Sequence, residues 1–533
     1  MASSSELDLS THPPVLRFPG TYNAAADFID RHLQTGHADN VAVIDDQGCY
    51  TYGALAERVN RTGNLLAGSG LQPGDRIAMV LHDSIDFPAV FWGAMKAGFV
   101  PIPLNTMLAA RDYAHILEDS AAAALVISAA LLDKLEPVIQ STASLKQVIV
   151  AGRAAGNYPL LEELQSYASA VLACTPATPT AIAFWLYSSG STGQPKGVMH
   201  HHASLMQTAV CYGKGILGVT ESDRCFSAAK LFFAYGLGNG MSFPFAVGAC
   251  AILMAGRPTP AAVTEVMARH PPTLFFGVPS LYAAMLAEAG SLNCDGFAKL
   301  RACVSAGEAL PEEIGKHSEL LFGVPILDGI GSTEMLHIFL SNRPGDVRYG
   351  SSGKPVPGYH ARLVDEQGGE AAVDEIGELV IAGPSAAVAY WNRPDKTQQV
   401  FRDGWTWTGD KYTRDAQGYY HYCGRADDML KVSGQWVSPF EVESTLVLHP
   451  DIQEAAVVGD ADENNLVKPR AFVVLKPGRV ADASLRSAIQ DFVKMRIAPH
   501  KYPRWIEFVD ALPKTATGKI QRFRLRSSSP SIP

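Results

Sequence analysis

The chain has 533 residues, more than a single hydrophobic core usually serves, so two or more domains are expected. Hydrophobic residues make up 47% of the sequence and charged residues 18%, which is typical of globular proteins in water. The net charge of −9 argues against a nucleic acid or an anionic membrane as partner.

The cysteines and the N-terminal residues bear on the location of the protein. Eight cysteines are scattered along the chain and none belongs to a C-x-x-C pair, which argues against zinc and against a disulfide framework. The opening segment MASSSELDLSTHPP has neither the basic nor the apolar part of a secretory signal. We therefore expect a cytoplasmic protein.

Short apolar runs alternate with longer amphipathic segments in the first part of the chain. The apolar runs predict strands at 76–82, 99–104, 124–128 and 147–152. The amphipathic segments predict helices at 86–98 and 109–119. Alternation of this kind indicates an α/β fold with largely parallel sheets.

The next apolar run, 181–187, predicts a buried strand that leads into a loop of glycine and hydroxyl residues. Glycines let the backbone N–H groups turn inward, hydroxyls add donors and Lys196 adds a positive charge, so the loop predicts a polyphosphate site. An ordinary surface loop is the alternative. A Walker A loop does not fit, because Gln194 and Pro195 separate Gly193 from Lys196. The predicted phosphate-binding residues are Ser188, Ser189, Gly190, Ser191, Thr192, Gly193 and Lys196.

Three later segments predict structure rather than chemistry. The consecutive side chains of His200, His201 and His202 cannot all face one ion in regular structure, so a metal site is not expected there. Residues 231–256 carry no charge over 26 positions, which is long enough to span a membrane. Because Pro244 and several glycines interrupt this segment, it predicts core strands and turns instead. Residues 362–383 alternate around an EQGGE break and predict a β-hairpin region.

Five further motifs follow the phosphate loop: GIGSTEM (329–335), GELV (377–380), WTGD (407–410), GRADDMLKVSG (424–434) and PKTATGKIQR (513–522). Together and in this order, the six motifs resemble the adenylate-forming acyl-CoA synthetases, the superfamily that includes firefly luciferase and the adenylation domains of peptide synthetases. The resemblance extends over residues 51–522. Within that superfamily, KLFFAYGLGNG (230–240) and STEMLHIFLSN (332–342) are similar to the benzoate–CoA ligases.

The resemblance implies two domains. A large N-terminal AMP-binding domain with several subdomains and parallel sheets would comprise residues 1–426, and a small mobile C-terminal α/β domain would comprise 427–533, with the hinge at Asp427. The sequence of the small domain predicts strands at 455–459, 470–475 and 505–509 and a helix at 482–495.

The implied reaction uses ATP, Mg²⁺ and coenzyme A. A carboxylate attacks the α-phosphorus of ATP to give an acyl-adenylate and pyrophosphate, and a thiol then expels AMP. By resemblance, Lys519 bridges the carboxylate and the α-phosphate, Thr333 contacts the α-phosphate and Glu334 helps to hold Mg²⁺. Phosphoryl transfer needs charge neutralisation and positioning, and a hard carboxylate suits Mg²⁺.

The remaining nucleotide and CoA contacts are also implied by the resemblance. Asp410 and Arg425 would bind the ribose, and Asp328 would lie near the exocyclic amine of adenine. The family commonly has an aromatic residue where this chain has Ile330, so aliphatic contact would replace stacking on adenine. The other adenine-site residues are Gly307, Glu308, Ala309, Gly329 and Ser332. After the small domain swings, CoA would pass Lys431, Gly434 and Trp436.

The acid-binding pocket is expected to form a short, flat slot for one aromatic ring. Its residues would be Phe233, Ala234, Tyr235, Ala306, Gly331, His337 and Ile338. The segment FFAYG lacks the aspartate with which amino-acid adenylators pair an α-ammonium group. The sequence continues for only 14 residues after Lys519, with no carrier-protein domain, so CoA is the expected acceptor.

The leading hypothesis is a ligase that converts benzoate, ATP and CoA to benzoyl-CoA, AMP and pyrophosphate, with a role in aromatic degradation. Related acids remain open: 2-aminobenzoate, 4-hydroxybenzoate, a fluorobenzoate or a cyclic carboxylate. A non-catalytic nucleotide sensor is a different class, as is an NAD oxidoreductase, although the chain lacks an early G-x-G-x-x-G motif. A homodimer is left open, and family analogy implies that a lysine acetyltransferase acting on Lys519 would silence the enzyme.

Overall fold

The computed structural model describes residues 4–8, 15–153, 156–189, 194–432, 435–463, 466–514 and 520–527. The chain divides into two compact units. The first unit comprises Met1–His360 and Ile381–Thr406, and the second comprises Ala361–Val380 and Trp407–Pro533. No helix in the described part of the chain is long and apolar enough to cross a membrane.

The strands and helices are numbered in chain order. The strands are β1 Glu6–Asp8, β2 Val15–Arg17, β3 Val41–Asp45, β4 Gly48–Thr51, β5 Arg76–Val80, β6 Val100–Pro103, β7 Ala124–Ser128, β8 Gln147–Ala151, β9 Ile182–Ser189, β10 Pro195–His201, β11 Arg224–Ser227, β12 Cys250–Ile252, β13 Leu274–Gly277, β14 Ala302–Ser305, β15 Ile326–Gly331, β16 Ile338–Ser341, β17 Lys354–Pro355, β18 His360–Val364, β19 Gly377–Ala382, β20 Ala389–Tyr390, β21 Phe401–Arg402, β22 Trp405–Arg414, β23 Tyr420–Arg425, β24 Leu430–Val432, β25 Gln435–Val437, β26 Ile452–Ala461, β27 Val467–Leu475 and β28 Trp505–Phe508. The α-helices are α1 Arg31–Gln34, α2 Tyr52–Ala67, α3 Asp86–Lys96, α4 Ala110–Asp119, α5 Leu132–Ser141, α6 Leu161–Tyr167, α7 His202–Thr208, α8 Ala234–Leu237, α9 Phe243–Val247, α10 Pro260–Arg269, α11 Pro279–Ala287, α12 Glu312–Phe322, α13 Pro394–Val400, α14 Pro439–Val447, α15 Ala483–Lys494 and α16 Arg522–Ser527.

The first unit is built on two sheets with parallel strands. A nine-stranded sheet has the order β17-β16-β15-β14-β13-β11-β12-β3-β4, and its strands from β15 to β3 are parallel. A four-stranded sheet, β6-β5-β7-β8, is parallel throughout. Parallel strands are covered by helices on both faces, which is why they appear in the sequence as continuous apolar runs. The predicted α/β class and the strands at 76–152 are confirmed.

Helix α3 shows how local sequence sets the boundaries of an element. The helix lies within the predicted range 86–98, but ten of its eleven residues are buried, so it is almost uniformly apolar and not amphipathic as predicted. It ends just before Gly98, whose φ of +87° is readily adopted only by glycine. A Cβ at Gly98 would also lie 2.9 Å from the Thr175 side chain, so this position leaves no room for a larger residue.

The uncharged segment 231–256 differs from its prediction of core strands and turns. It forms α8, a π-helical stretch at Gly238–Ser242 and α9, and only Cys250–Ile252 is a strand. Small residues allow this helical path, because a Cβ at Gly236 would lie 2.1 Å from the backbone oxygen of Lys230. Glycine spacing therefore reflects close packing of a buried helix rather than turns.

The described residues of the second unit form three sheets. Strands β18, β19, β22 and β23 are neighbours in that order, which agrees with the β-structure predicted for 362–383. Strand β24 pairs with β25, and β26-β27-β28 form a further sheet. A hydrophobic core that includes Val442, Val457, Val473 and Ile489 joins this last sheet to α14 and α15. The elements predicted for the C-terminal region are all present, whereas the domain boundary at residues 426 and 427 stays a prediction.

Candidate active site

The two strands that flank the predicted phosphate loop form an antiparallel pair. Ser188 in β9 lies opposite Lys196 in β10, and Ser189 lies opposite Pro195. Residues Gly190, Ser191, Thr192 and Gly193 lie outside the described residues. The fold therefore brings the two ends of the loop together. Tyr187 supports the base of this pair by donating a hydrogen bond of 2.7 Å to the buried carboxylate of Asp119.

Lys196 lies beside a residue that the sequence did not single out. Its Nζ is 4.7 Å from the centroid of the Tyr390 ring. The short edge strand β20 pairs with β10, so that Tyr390 lies opposite Val198. The hydroxyl of Tyr390 donates a hydrogen bond of 2.7 Å to Oε1 of Glu334. Lys196 and Glu334, predicted from separate motifs, are therefore joined by one side chain.

The segment Ser332–Leu336 makes a tight turn between β15 and β16. The hydroxyl of Ser332 accepts a hydrogen bond of 3.2 Å from the backbone N–H of Met335. The backbone N–H of Leu336, which has a φ of +65°, donates to the carbonyl of Thr333 at 3.1 Å. Thr333 and Glu334 are both half-buried. The turn thus holds a hydroxyl and a carboxylate side by side.

Glu334 is suited to a cation that brings most of its own ligands. Among the described residues, no group of three histidine, cysteine or acidic side chains could hold a metal ion. Mg²⁺ is commonly held by one or two carboxylates, waters and substrate phosphates rather than by a complete protein cage. A single carboxylate near a phosphate loop therefore fits Mg²⁺ and does not fit a structural zinc site.

The predicted adenine contacts lie where β14 and β15 end. Gly307 has a φ of +95°, so it turns the chain after β14 in a conformation that favours glycine. Glu308 and Ala309, which follow, are half-buried. Asp328 in β15 is only 5% exposed, and burial raises the pKa of its carboxyl well above the ordinary value. Its Oδ1 has no hydrogen-bond partner within the described chain, so a buried acceptor is available there.

Strand β15 also places Gly329, Ile330 and Gly331. Gly329 lies opposite Ser341 and Ile330 opposite Leu340 in β16. A Cβ at Gly331 would lie 2.5 Å from the backbone oxygen of His337, so only glycine allows this pairing. Ile330 is half-buried and presents an aliphatic side chain at the position where the superfamily commonly has an aromatic residue.

Aromatic rings surround His337. The ring centroid of His337 is 4.5 Å from that of Phe243, 5.2 Å from that of Tyr212 and 5.7 Å from that of Tyr235. Burial lowers the pKa of His337 to about 3, so the imidazole is neutral at physiological pH. The Tyr235 hydroxyl donates to the carbonyls of Gly277 and Val304, at 3.2 and 3.1 Å. The predicted partners Tyr235 and His337 are therefore brought together.

Two neighbouring hydrogen-bond acceptors, one from the backbone and one from a side chain, determine the tautomer of His337. Its Nε2 lies 3.3 Å from the carbonyl of Tyr235 and 3.1 Å from Oδ1 of Asn239. Because both of these atoms are acceptors, Nε2 carries the proton and Nδ1 is left as an acceptor. Nδ1 is buried and has no hydrogen-bond partner among the residues that the structure describes. Asn239 was missed by sequence reasoning, although it lies within the GLGNG motif.

The other predicted pocket residues lie beside this aromatic group. Ile338 is buried and pairs with Gly331, and Ala306 is buried directly after β14. Phe233 and Ala234 lie at the start of α8 and are half-buried. A Cβ at Gly238 would lie 2.4 Å from the His337 ring, so this glycine is needed for the ring to occupy its position.

A buried carboxyl group anchors the segment that carries these residues. The backbone N–H of Leu231 donates to both carboxylate oxygens of Asp83, at 3.2 and 3.3 Å. Burial raises the pKa of Asp83 to about 6, even though Lys230 and this N–H act in the opposite direction. The Lys230 ammonium donates to the carbonyls of Met254 and Gly256. No motif pointed to Asp83, because its partner is 148 residues away.

The ribose-binding residues predicted in the second unit form an ion pair. Asp410 in β22 lies opposite Arg425 in β23, and the guanidinium donates a hydrogen bond of 3.0 Å to Oδ1 of Asp410. Asp410 is buried and Arg425 is exposed. The predicted hinge residue Asp427 is exposed and lies two residues after the end of β23, and its carbonyl accepts a hydrogen bond of 3.3 Å from Arg526.

Two of the predicted CoA-binding residues, Lys431 and Trp436, lie in the antiparallel pair of β24 and β25. Lys431 lies opposite Trp436, with its Nζ 5.0 Å from the indole ring. The indole N–H of Trp436 donates a hydrogen bond of 2.8 Å to Glu366, which Lys431 also approaches at 3.4 Å. Gly434 lies outside the described residues, as does the predicted catalytic residue Lys519.

Comparison with known proteins identifies the class to which this fold and site belong. The model of the AMP-binding enzyme family matches residues 30–391, and that of the AMP-binding enzyme C-terminal domain matches residues 441–519. The chain belongs to the AMP-binding enzyme family. The superfamily resemblance predicted from the motifs is thereby confirmed.

Individual relatives extend over almost the whole chain. A benzoate–CoA ligase of Thauera aromatica is 56% identical over 530 residues, which cover 99% of this chain and 100% of the relative. A 4-hydroxybenzoate–CoA/benzoate–CoA ligase of Rhodopseudomonas palustris is 48% identical over 508 residues, 95% of this chain and 94% of the relative. The crystal structure of a benzoate CoA ligase from Burkholderia xenovorans LB400 is 50% identical, with a TM-score of 0.88 over 95% of this chain and 100% of that one.

Proposed function

We propose that this protein is an ATP-dependent ligase that converts benzoate, or a closely related small aromatic acid, and CoA to the acyl-CoA, AMP and pyrophosphate through an acyl-adenylate. The observation that carries the proposal is the group of aromatic rings around neutral, buried His337, with Tyr235 at 5.7 Å. Such a group suits a flat, apolar ring and offers no cation or anion for an amino-acid substrate. The 56% identity to the Thauera aromatica ligase supports it.

The residues of the two units have separate roles in this proposal. Lys196 and the loop before it bind the polyphosphate, and Asp328 accepts from the exocyclic amine of adenine. Asp410 and Arg425 bind the ribose hydroxyls. Thr333 contacts the α-phosphate, and Lys519 stabilises the charge that develops as the carboxylate attacks. The other proposed adenine contacts are Gly307, Glu308, Ala309, Gly329, Ile330 and Ser332.

Mg²⁺ neutralises phosphate charge when it is bound with the nucleotide. Glu334 is the residue proposed to hold it, because this half-buried carboxylate is fixed by a hydrogen bond and lies in a turn beside Thr333. We further propose that residue 427 is the hinge by which the small domain exchanges Lys519 for the CoA-binding residues Lys431, Gly434 and Trp436.

A second substrate, 4-hydroxybenzoate, is favoured by one specific observation. Nδ1 of His337 is a buried acceptor without a hydrogen-bond partner in the described part of the chain, and a ring hydroxyl is a donor. The similarity to the 4-hydroxybenzoate–CoA/benzoate–CoA ligase agrees with this candidate. Benzoate stays first, because Phe243 is apolar and the Tyr235 hydroxyl already donates to the carbonyls of Gly277 and Val304.

The proposal is tested by assaying AMP release and thioester formation with purified protein, ATP, Mg²⁺ and CoA. The acids to compare are benzoate, 4-hydroxybenzoate, 2-aminobenzoate, 4-fluorobenzoate and a cyclohexene carboxylate. Benzoate should give the highest kcat/KM, and omission of CoA should abolish the thioester but not pyrophosphate release. Absence of thioester with every aromatic acid would refute the proposal.

Three further proposals concern the cell rather than the chemistry. We propose a cytoplasmic location, which is supported by the eight cysteines, all of which are free. A lysine acetyltransferase acting on Lys519 would remove the charge on which adenylation depends. A homodimer stays a prediction that size-exclusion chromatography with light scattering would check.

A further inference from the structure

Tyr390 contacts two residues of the candidate phosphate and metal site. It is 4% exposed, and its hydroxyl donates a hydrogen bond of 2.7 Å to Oε1 of Glu334. The Nζ of Lys196 lies 4.7 Å from the centroid of its ring. The polar end of this side chain therefore faces the carboxylate, and its π-face accommodates the ammonium group.

Backbone hydrogen bonds hold the segment around Tyr390 against both of these neighbours. On one side, the N–H of Trp391 donates to the carbonyl of Gly197 at 2.8 Å, next to Lys196. On the other side, the N–H of Ala387 donates to the carbonyl of Glu334 at 2.8 Å. The N–H of Tyr390 itself donates to Oγ1 of Thr397 at 3.0 Å. The position of the phenol ring is thus determined by the backbone and not by the side chain alone.

A hydrogen bond to one carboxylate oxygen has two effects on a metal-binding glutamate. It would fix the rotation of the carboxylate plane, and Oε2 would be the oxygen that holds the ion. A ring that also attracts a lysine ammonium keeps that cation near the phosphates. Without the hydroxyl, the Glu334 carboxylate would lose this hydrogen bond, while an aromatic ring at position 390 would still contact Lys196.

We propose that Tyr390 is a positioning residue that orients Glu334 toward the Mg²⁺ of the bound nucleotide and keeps Lys196 beside it. This inference rests on the proposed function, which assigns the metal to Glu334.

The test is the affinity for ATP, measured by isothermal titration calorimetry in excess Mg²⁺ and again in EDTA. For Tyr390→Phe, the affinity in Mg²⁺ divided by the affinity in EDTA should fall about 10–100-fold. A fall of this size is usual when the hydrogen-bond partner of a metal ligand is removed. The affinity in EDTA should be unchanged, because the phenylalanine ring still contacts Lys196. A merely structural role would lower both affinities together, and either that result or an unchanged ratio would overturn the proposal.

Two controls complete the experiment. Tyr113 is fully buried and donates a hydrogen bond of 2.6 Å to the Asn105 carbonyl, so Tyr113→Phe removes a comparable hydroxyl away from Glu334 and should change neither affinity. In a Glu334→Gln background, Tyr390→Phe should cause no further fall in the ratio, and a full additional fall would contradict the proposal. Wild-type turnover of benzoate is measured in parallel. Its absence would refute the proposed ligase activity, while the ATP titrations would still decide the role of Tyr390.

Discussion

The guanidinium of Arg425 donates a hydrogen bond of 3.0 Å to the carboxylate of Asp410, which lies opposite it in the antiparallel pair β22 and β23. The ion pair places a buried acceptor next to an exposed donor, because the Asp410 side chain is 12% exposed and the Arg425 side chain is 46% exposed. A ribose has two adjacent hydroxyls that a carboxylate can bind with both oxygens. This geometry supports the proposal that the pair binds the ribose of the nucleotide.

We expect Asp410→Asn to weaken ATP binding. A hydrogen bond to a charged group contributes about 1.5–3 kcal/mol, so the KM for ATP should rise roughly tenfold to hundredfold while the KM for benzoate changes little. Initial rates over a range of ATP concentrations would measure this. Asp460→Asn is the matched control, because it alters another arginine-paired aspartate of the same unit, with a 2.7 Å contact to Arg470. An equal rise in both variants would argue against a ribose contact.

Lys519→Ala should abolish the first half-reaction only. The lysine cation stabilises charge that develops at the α-phosphate, so pyrophosphate release from ATP and benzoate should be lost. Thioester formation from synthetic benzoyl-adenylate and CoA should persist, because the proposed domain motion removes Lys519 before that step. Lys514→Ala is a nearby control, since Lys514 pairs with Glu454 at 2.8 Å. Loss of both half-reactions in Lys519→Ala would contradict the two-conformation mechanism.

Tyr235→Ala should change the preference among acids. If Tyr235 closes the far end of the pocket, a para methyl group, which is larger than fluorine and cannot donate a hydrogen bond to Nδ1 of His337, displaces packed side chains in the wild type, at a cost of about 1–3 kcal/mol. That cost corresponds to a roughly tenfold to hundredfold lower kcat/KM for 4-methylbenzoate relative to benzoate. The variant should raise this ratio and weaken benzoate, whereas Tyr235→Phe keeps the ring and should leave the ratio near the wild-type value. An unchanged ratio in Tyr235→Ala would assign the residue to core packing.

Asp83 predicts a dependence of stability on pH. Burial raises the pKa of its carboxyl from an ordinary value of 3.8 to about 6. Between these values the folded protein retains a proton that the unfolded chain releases, so stability decreases as pH rises from about 4 to 6, by roughly 3 kcal/mol in all. Asp83→Asn cannot titrate and keeps an acceptor for Leu231. Its Tm should therefore exceed that of the wild type by a margin that grows from pH 4 to pH 7.

Asp223→Asn provides a control of opposite sign for this experiment. Burial acts to raise the pKa of Asp223, but hydrogen bonds from Arg301 and Thr273 outweigh that effect and lower it. A lowered pKa stabilises the fold above the ordinary value, and the contribution is lost as the pH falls. The Tm of Asp223→Asn should lie below that of the wild type at pH 7 and approach it in acid. If the difference in Tm between Asp83→Asn and the wild type did not change with pH, the raised pKa assigned to Asp83 would be contradicted.

Helix α8 and α9 show where sequence patterns were insufficient. The glycines of 231–256 predict turns between strands, whereas the segment is mostly helical and buried. Periodicity distinguishes elements only when polar positions mark the exposed face, and a fully buried segment has none. Strands β5 to β8 are predicted correctly because longer helical segments separate these short apolar runs and make the alternation visible.

The sequence by itself determined the family and the α/β class, and it predicted the motifs for phosphate, metal and ribose, because these depend on residue types at short spacings. Only the tertiary structure decided which distant residues support them. Tyr390 meets Glu334 across 56 residues, and Asp83 meets Leu231 across 148. Contacts between segments so far apart depend on the order of strands in the sheets and on the packing of buried side chains, and local sequence patterns do not record either.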